Sequence, residues 1–422
     1  MADTPQRIVI IGAGQAGGQA AYSLRLGGYE GAITIIGDEP QPPYQRPPLS
    51  KAYFKGELEA DRLYLKPLEY YAEHNIELLT GDAATRIDLD ERKVELASGA
   101  SVPWDRLVIA TGARPRRLSV EGADLAGVHE LRTLGHVDLL KSAAWPNARI
   151  VVIGAGYIGL EAAAVASQLG LKVTVLEAMP QVLARVAGPE IAQFYNHIHR
   201  AAGVDIRTSA RLTGFEGAGH VSGVRMEGGE VIPADLVLVG VGVLPNMELA
   251  AEAGLICGNG IVVDDQMRTS QPDVYAIGDV AWRRLSHYGR EGRLESVHNA
   301  IEGGKIVAAS ILGGLSPALD VPWFWSDQYD LKLQTAGLWT GADERIVRGD
   351  PQTRSFAVFY LKEGKVIAVD AVNAAPEYLV GKKLVAAQAT VAPGELADKS
   401  MSMKDIGARA LAPQGQGSHL GR

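Results

Sequence analysis

One cysteine, Cys257, stands in the whole chain of 422 residues. A lone thiol excludes an internal disulfide, a Cys-x-x-Cys redox pair and a cluster of thiolate metal ligands. No apolar run approaches the ~18 residues of a membrane span. Nor does the chain open on a basic segment, an apolar stretch and a small-residue cleavage site. Both absences predict a cytoplasmic protein with no membrane partner. Positive charge is short as well: 41 basic residues face 49 acidic ones, a net charge of −8. That balance disfavours a general nucleic-acid binder. No metal site is expected, because His197 and His199 are two residues apart and point away from each other on a helix.

Glycine is abundant, with 49 residues and no collagen period. Such a content suits an α/β protein with repeated tight turns. Hydrophobic and charged fractions of 47% and 21% are those of a globular chain, and the length predicts two to three domains at ~100–200 residues each.

Residues 7–17, Arg-Ile-Val-Ile-Ile-Gly-Ala-Gly-Gln-Ala-Gly, recur at 149–159 as Arg-Ile-Val-Val-Ile-Gly-Ala-Gly-Tyr-Ile-Gly. Each copy reads as a buried strand, a glycine turn and a helix, followed by a second β-branched strand. Gly12-x-Gly14-x-x-Gly17 and Gly154-x-Gly156-x-x-Gly159 both match the dinucleotide fingerprint. Its first glycine turns the chain, its second lets backbone approach a pyrophosphate, and its third allows close helix–strand packing. An acid follows at the expected distance, Asp38 or Glu39 after the first turn and Glu177 after the second. Two nucleotide sites in one chain suggest an electron relay between two cofactors. A carboxylate at Glu177 would accept from a ribose 2′-hydroxyl and repel a 2′-phosphate, which favours NADH over NADPH.

Further along, residues 107–113, 235–242 and 274–279 read as buried strands ending in glycine turns, the last with Asp279 just beyond it. Five prolines in residues 40–50 make a stiff loop that is no central strand. Beyond about residue 318 the pattern alternates, and residues 355–361 and 365–370 around Glu363-Gly364 predict an antiparallel hairpin. The expected fold class is therefore α/β: two Rossmann-like dinucleotide-binding domains of glutathione-reductase-like type, plus a C-terminal α+β domain. The expected division is 1–115 with 245–318 for one dinucleotide, 116–244 for the other, 319–412 for the last domain and 413–422 as a flexible tail.

The two fingerprints, Pro47-Pro-Leu-Ser-Lys51, Ala110-Thr-Gly112, Ala276-Ile-Gly-Asp279, Glu295-Ser-Val-His-Asn-Ala300 and Trp323-Phe-Trp-Ser-Asp-Gln328 occur in one order. Together they resemble the FAD-dependent, NADH-using ferredoxin reductases of bacterial oxygenase systems, the putidaredoxin-reductase-like group, over nearly the whole chain. The resemblance implies that Gly12, Gly14, Ala16 and Gly17 hold FAD, with Asp38 near the adenosine ribose. Arg46, Lys51, Ala84, Arg132, Asp279 and Val297 would line the rest of that site. Gly154, Gly156, Gly159 and Glu177 would hold NADH. Lys51, paired with Glu161, would lie close to the flavin ring, where a cation stabilises the negative charge that reduction brings. Trp325 would face the ferredoxin at the flavin edge, while Trp323 packs the domain.

Electron counting supports the relay: NADH gives two electrons as hydride, a [2Fe-2S] ferredoxin takes one at a time, and a flavin does both. The ferredoxin would then feed an oxygenase, by the resemblance a cytochrome P450. A small-molecule acceptor such as a quinone stays open, as does a flavin-bearing interaction protein of the apoptosis-inducing-factor type. Disulfide reductases are disfavoured, because the proline-rich loop carries no cysteine. Ferredoxins are usually acidic, so Arg283, Arg284, Arg290, Arg293 and the pair Lys382 and Lys383 are candidate docking cations.

Overall fold

The computed structural model describes residues 6–315, 317 and 320–412; the expected tail at 413–422 lies outside the described residues. The chain forms two compact units, Met1–Leu176 with Ala210–Leu319, and Glu177–Ser209 with Asp320–Arg422.

In the first unit a parallel five-stranded sheet runs Val274–Ala276, Arg106–Ile109, Arg7–Ile11, Ala32–Gly37, Ile76–Thr80. Its central strands are near-continuous apolar runs because both faces are covered, as parallel sheets require. The helices Gln15–Leu26 and Val297–Ile311 pack tightly on each other. A Cβ at Gly304 would lie 2.9 Å from the Ala20 nitrogen. A second parallel array runs Lys172–Leu176, Arg149–Ile153, Leu236–Val239, Val128–Glu130. An antiparallel ribbon of Ala113–Pro115 with Val243–Pro245 lies where the chain crosses between the two arrays.

The second unit holds an antiparallel sheet ordered Trp323–Gln328, Leu331–Gly337, Lys365–Val372, Ser355–Lys362, Glu344–Asp350. The expected hairpin is there, and Glu363 and Gly364 turn it at φ +51° and +74°, the pair of positive values a tight two-residue hairpin needs. Helix Ala375–Ala386 covers the sheet. So does helix Pro189–Ala201, whose Phe194 ring meets Phe356 at 5.0 Å and whose Glu190 pairs with Arg345 at 3.0 Å. This helix lies within 116–244 by sequence and within the C-terminal unit by packing.

His197 is exposed and His199 fully buried, so the two rings do point apart. His199 lies between Gln328 Oε1 at 2.8 Å and the Tyr329 hydroxyl at 3.1 Å. Burial pulls its imidazole down to about 4. On the same unit, burial pushes the Asp370 carboxyl up to about 7, although the Tyr360 hydroxyl donates to it at 2.6 Å.

The two groups act in opposite senses. The neutral His199 contributes stability that is lost as pH falls from about 6.5 toward 4. Asp370 contributes stability that is present below about 4 and lost as pH rises toward 7. Over that window the slopes offset. Asp370→Asn removes one of them, so the variant gains on the native protein by roughly 2–3 kcal/mol between pH 5 and pH 7.5. Chemical denaturation at the two pH values checks this; an unchanged difference overturns it.

Candidate dinucleotide and redox site

The two glycine turns are built alike. Gly12 N–H donates to Ile36 O and Gly154 N–H to Leu176 O, both at 2.7 Å. Gly12 and Gly154 stand at φ +119° and +99°, and a Cβ there would strike Ala110 O at 2.2 Å or Gly240 O at 2.4 Å. At Gly17 and Gly159 it would strike the first glycine's own carbonyl at 2.0 and 2.1 Å. At Gly14 and Gly156 it would meet nothing within 4 Å. The middle glycine of each turn therefore faces open space, the room a pyrophosphate needs to reach backbone N–H groups. Neither helix, Gln15–Leu26 or Tyr157–Gln168, has an acid in its first turn. Both N-termini thus keep their positive end for an anion. The residues fit two dinucleotides.

Around the first turn the remaining candidates gather. Asp38 is exposed just past its strand, while Glu39 turns inward onto Arg46 at 2.7 Å and the Tyr44 hydroxyl at 2.6 Å. Of the two acids, Asp38 has the carboxylate open to a ribose. Burial holds the Tyr44 phenol protonated, far above its ordinary range, so it donates to Glu39. Arg46 also donates to Arg132 O at 2.6 Å, and Arg132 pairs with Asp279 at 3.0 Å. Asp82 N–H donates to Gly37 O at 3.1 Å, which brings the stretch leading into Ala84 beside Asp38. A Cβ on Gly278 would lie 2.9 Å from Ala16 Cβ, so the Asp279 turn abuts the first glycine turn. Val297 opens its helix one residue after the capping Ser296, which accepts from Asn299 N–H at 3.1 Å.

Lys51 follows the turn Pro47–Ser50, and Glu161 sits on the second dinucleotide helix. Their side chains meet at 2.7 Å, 18% and 3% exposed. The pair thus links the loop of the first dinucleotide half to the helix of the second. Ser50, whose hydroxyl also reaches Glu161, escaped the sequence reading although it stands next to Lys51.

Glu177 directly follows Leu176 and belongs to the other compact unit. Its carboxylate accepts from Met179 N–H at 2.8 Å. Trp325 is half-buried in that unit on strand Trp323–Gln328, tilted against Trp323 at 5.7 Å. Trp323 packs on the unit's core, with the Lys382 ammonium 5.5 Å above its ring.

The proposed docking cations divide. Arg284, Arg290 and Lys383 are exposed, and Lys382 is committed to Asp320. Arg283 and Arg293 are instead turned inward. Alternation along Ala281–Leu285 turns Arg283 inward to Asn299 at 3.2 Å. Arg293, 8% exposed at its side chain, donates to Asp279 O at 2.8 Å and pairs with Glu295. Both support the Asp279 turn, a role no local pattern announces.

Cys257 is a free, half-buried thiol whose pKa burial raises, and it lies outside this arrangement. Among the described residues no helix is long and apolar enough to cross a membrane, and no cluster suits a metal ion.

Two dinucleotide turns and an antiparallel C-terminal sheet define a flavin- and nicotinamide-dependent oxidoreductase. The pyridine nucleotide-disulphide oxidoreductase family matches residues 6–304, and a family described as Reductase C-terminal matches residues 323–407. The chain belongs to the first family, and within it to the putidaredoxin-reductase-like ferredoxin–NAD(P) reductases. It is 44% identical over 398 residues to rhodocoxin reductase of Rhodococcus erythropolis, covering 94% of this chain and 93% of that one. The covalent putidaredoxin reductase–putidaredoxin complex superposes with TM-score 0.95 at 43% identity, covering 97% and 100%. The ferredoxin reductase of the CYP199A2 system from Rhodopseudomonas palustris gives TM-score 0.92 at 43% identity, covering 96% and 100%.

Proposed function

We propose that this chain takes hydride from NADH onto FAD and passes single electrons to a [2Fe-2S] ferredoxin that feeds an oxygenase, a cytochrome P450 above all. The observation that carries this is the Lys51–Glu161 pair joining two matched turns, each with an open middle glycine. FAD, when bound, supplies the conversion between two-electron and one-electron chemistry. In this reading residues 1–115 and 245–318 hold FAD, and Gly12, Gly14, Ala16 and Gly17 cradle its pyrophosphate. Asp38 and Ala84 flank the adenosine; Arg46, Arg132, Asp279 and Val297 line the remainder. Gly154, Gly156 and Gly159 within 116–244 receive NADH, with Glu177 on its adenosine ribose. Lys51 supplies positive charge at the ring, and Glu161 orients it. Trp325, in 319–412, stands toward the acceptor. The protein has no thiol pair to take electrons onward, and its single cysteine, Cys257, lies outside the site, so the acceptor is external. We place it in the cytoplasm, where its donor is made.

Purified flavoprotein is assayed for NADH oxidation in air, with and without a [2Fe-2S] ferredoxin. A large rate increase, with anaerobic bleaching of the ferredoxin, is expected. Slow turnover with a panel of ferredoxins and fast turnover with a quinone would overturn the proposal. Glu177→Ala is expected to raise KM for NADH ~10-fold or more, since one charge-assisted hydrogen bond is lost, and to narrow discrimination against NADPH. Unchanged KM for both removes Glu177 from the site.

A further inference from the structure

Ser50 and Lys51 are consecutive, and both side chains converge on one atom. The Ser50 hydroxyl, in a residue 3% exposed, lies 2.5 Å from Glu161 Oε2; the Lys51 ammonium lies 2.7 Å from the same oxygen. Ser50 Oγ is also 3.4 Å from Pro47 O, and Lys51 Nζ 3.3 Å from that carbonyl. A hydroxyl has one proton to donate, and the shorter contact directs it at the carboxylate. Two prolines at the start of Pro47–Ser50 fix φ and hold the turn in the shape that delivers both side chains.

We infer that Ser50 is a positioning residue for the redox pair, setting how much of the Lys51 charge is felt beyond Glu161. This rests on the reading that puts Lys51 beside the flavin. The hydroxyl is a neutral dipole. It satisfies part of a buried carboxylate without adding charge, so the carboxylate leans less on the ammonium. Without it, Glu161 draws Lys51 closer and screens it more. Negative charge arriving on the flavin is then stabilised less.

The test measures the flavin midpoint potential by anaerobic equilibrium titration, together with the rate of flavin reduction by NADH. Four proteins are compared: native, Ser50→Ala, Glu161→Gln and the double variant, each checked for full FAD content. Ser50→Ala is expected to move the potential to a more negative value and slow reduction on the order of tenfold, the worth of one hydrogen bond to a charged group. In the Glu161→Gln background the same substitution is expected to do little, because its effect passes through that carboxylate. Equal shifts in both backgrounds would show a local packing effect and overturn the inference. Lys51→Met separates the two levels. If it moves the potential and Ser50→Ala does not, the inference fails alone; if neither does, the placement of Lys51 fails with it.

Discussion

Gly14→Val is expected to yield a folded protein that purifies without flavin, and Gly156→Val a yellow protein that NADH no longer reduces. Both positions have extended backbone, φ −97° with ψ −166° at Gly14 and φ −76° with ψ −176° at Gly156, which a β-branched residue adopts freely. Both have empty space where a side chain would project. The fold has no quarrel with valine; the pyrophosphate does, because the added methyl groups occupy its approach to the helix N-terminus. Losing that anion site should weaken each dinucleotide by ~100-fold or more. Gly12→Ala and Gly17→Ala behave differently, since their added carbons fall 2.2 and 2.0 Å from backbone carbonyl oxygens. Those variants should lose the native fold. Flavin absorbance per polypeptide, circular dichroism and stopped-flow reduction distinguish the three outcomes. A Gly14→Val protein that keeps its FAD would remove the first turn from the cofactor site.

Arg348→Met is expected to cost about 3–5 kcal/mol of stability, the usual penalty for leaving half of a buried ion pair. The Arg348 side chain is 3% exposed and Glu377 6%. The guanidinium reaches Glu377 at 3.3 Å and donates to the carbonyls of Leu396, Asp398 and Met401 at 3.1, 2.7 and 2.6 Å. Methionine fills most of the volume and supplies none of those donors. Lys399 also pairs with Glu377, at 2.8 Å, but is 53% exposed. Its replacement by methionine should cost under ~1 kcal/mol. Chemical denaturation of both variants measures the contrast. Equal small losses would mean that the clamp around residues 396–401 is not held by Arg348.

Much of the fold is legible in local pattern. Two strand–glycine–helix repeats announce themselves because the spacing of Gly12, Gly14 and Gly17 serves backbone geometry, and Gly154, Gly156 and Gly159 repeat it. The Glu363-Gly364 hairpin is equally local. Helix Pro189–Ala201 is different. Its amphipathic pattern calls for a partner face without saying which; Phe194 against Phe356, Glu190 against Arg345 and His199 against Gln328 settle the choice. The site divides the same way. Glycines, strand-end acids and the Lys51–Glu161 pair follow from motif and resemblance. The Arg46–Arg132 and Arg132–Asp279 contacts depend on residues far apart in the chain. Arg283 and Arg293 look like surface charge until strand alternation and burial are seen.

The excursion 177–209 bears on how such reductases are recombined. A chimera cut once, near residue 320, would strip the antiparallel sheet of helix Pro189–Ala201 and expose Phe356 and Gln328. The transplantable piece is instead discontinuous, 177–209 together with 320–412. It carries Glu177 at one end and Trp325 in its first strand. On the proposed roles of Glu177 and Trp325, dinucleotide preference and acceptor preference would then be inherited as one parcel, and changing the electron partner by such a graft would bring the donor's coenzyme choice along with it.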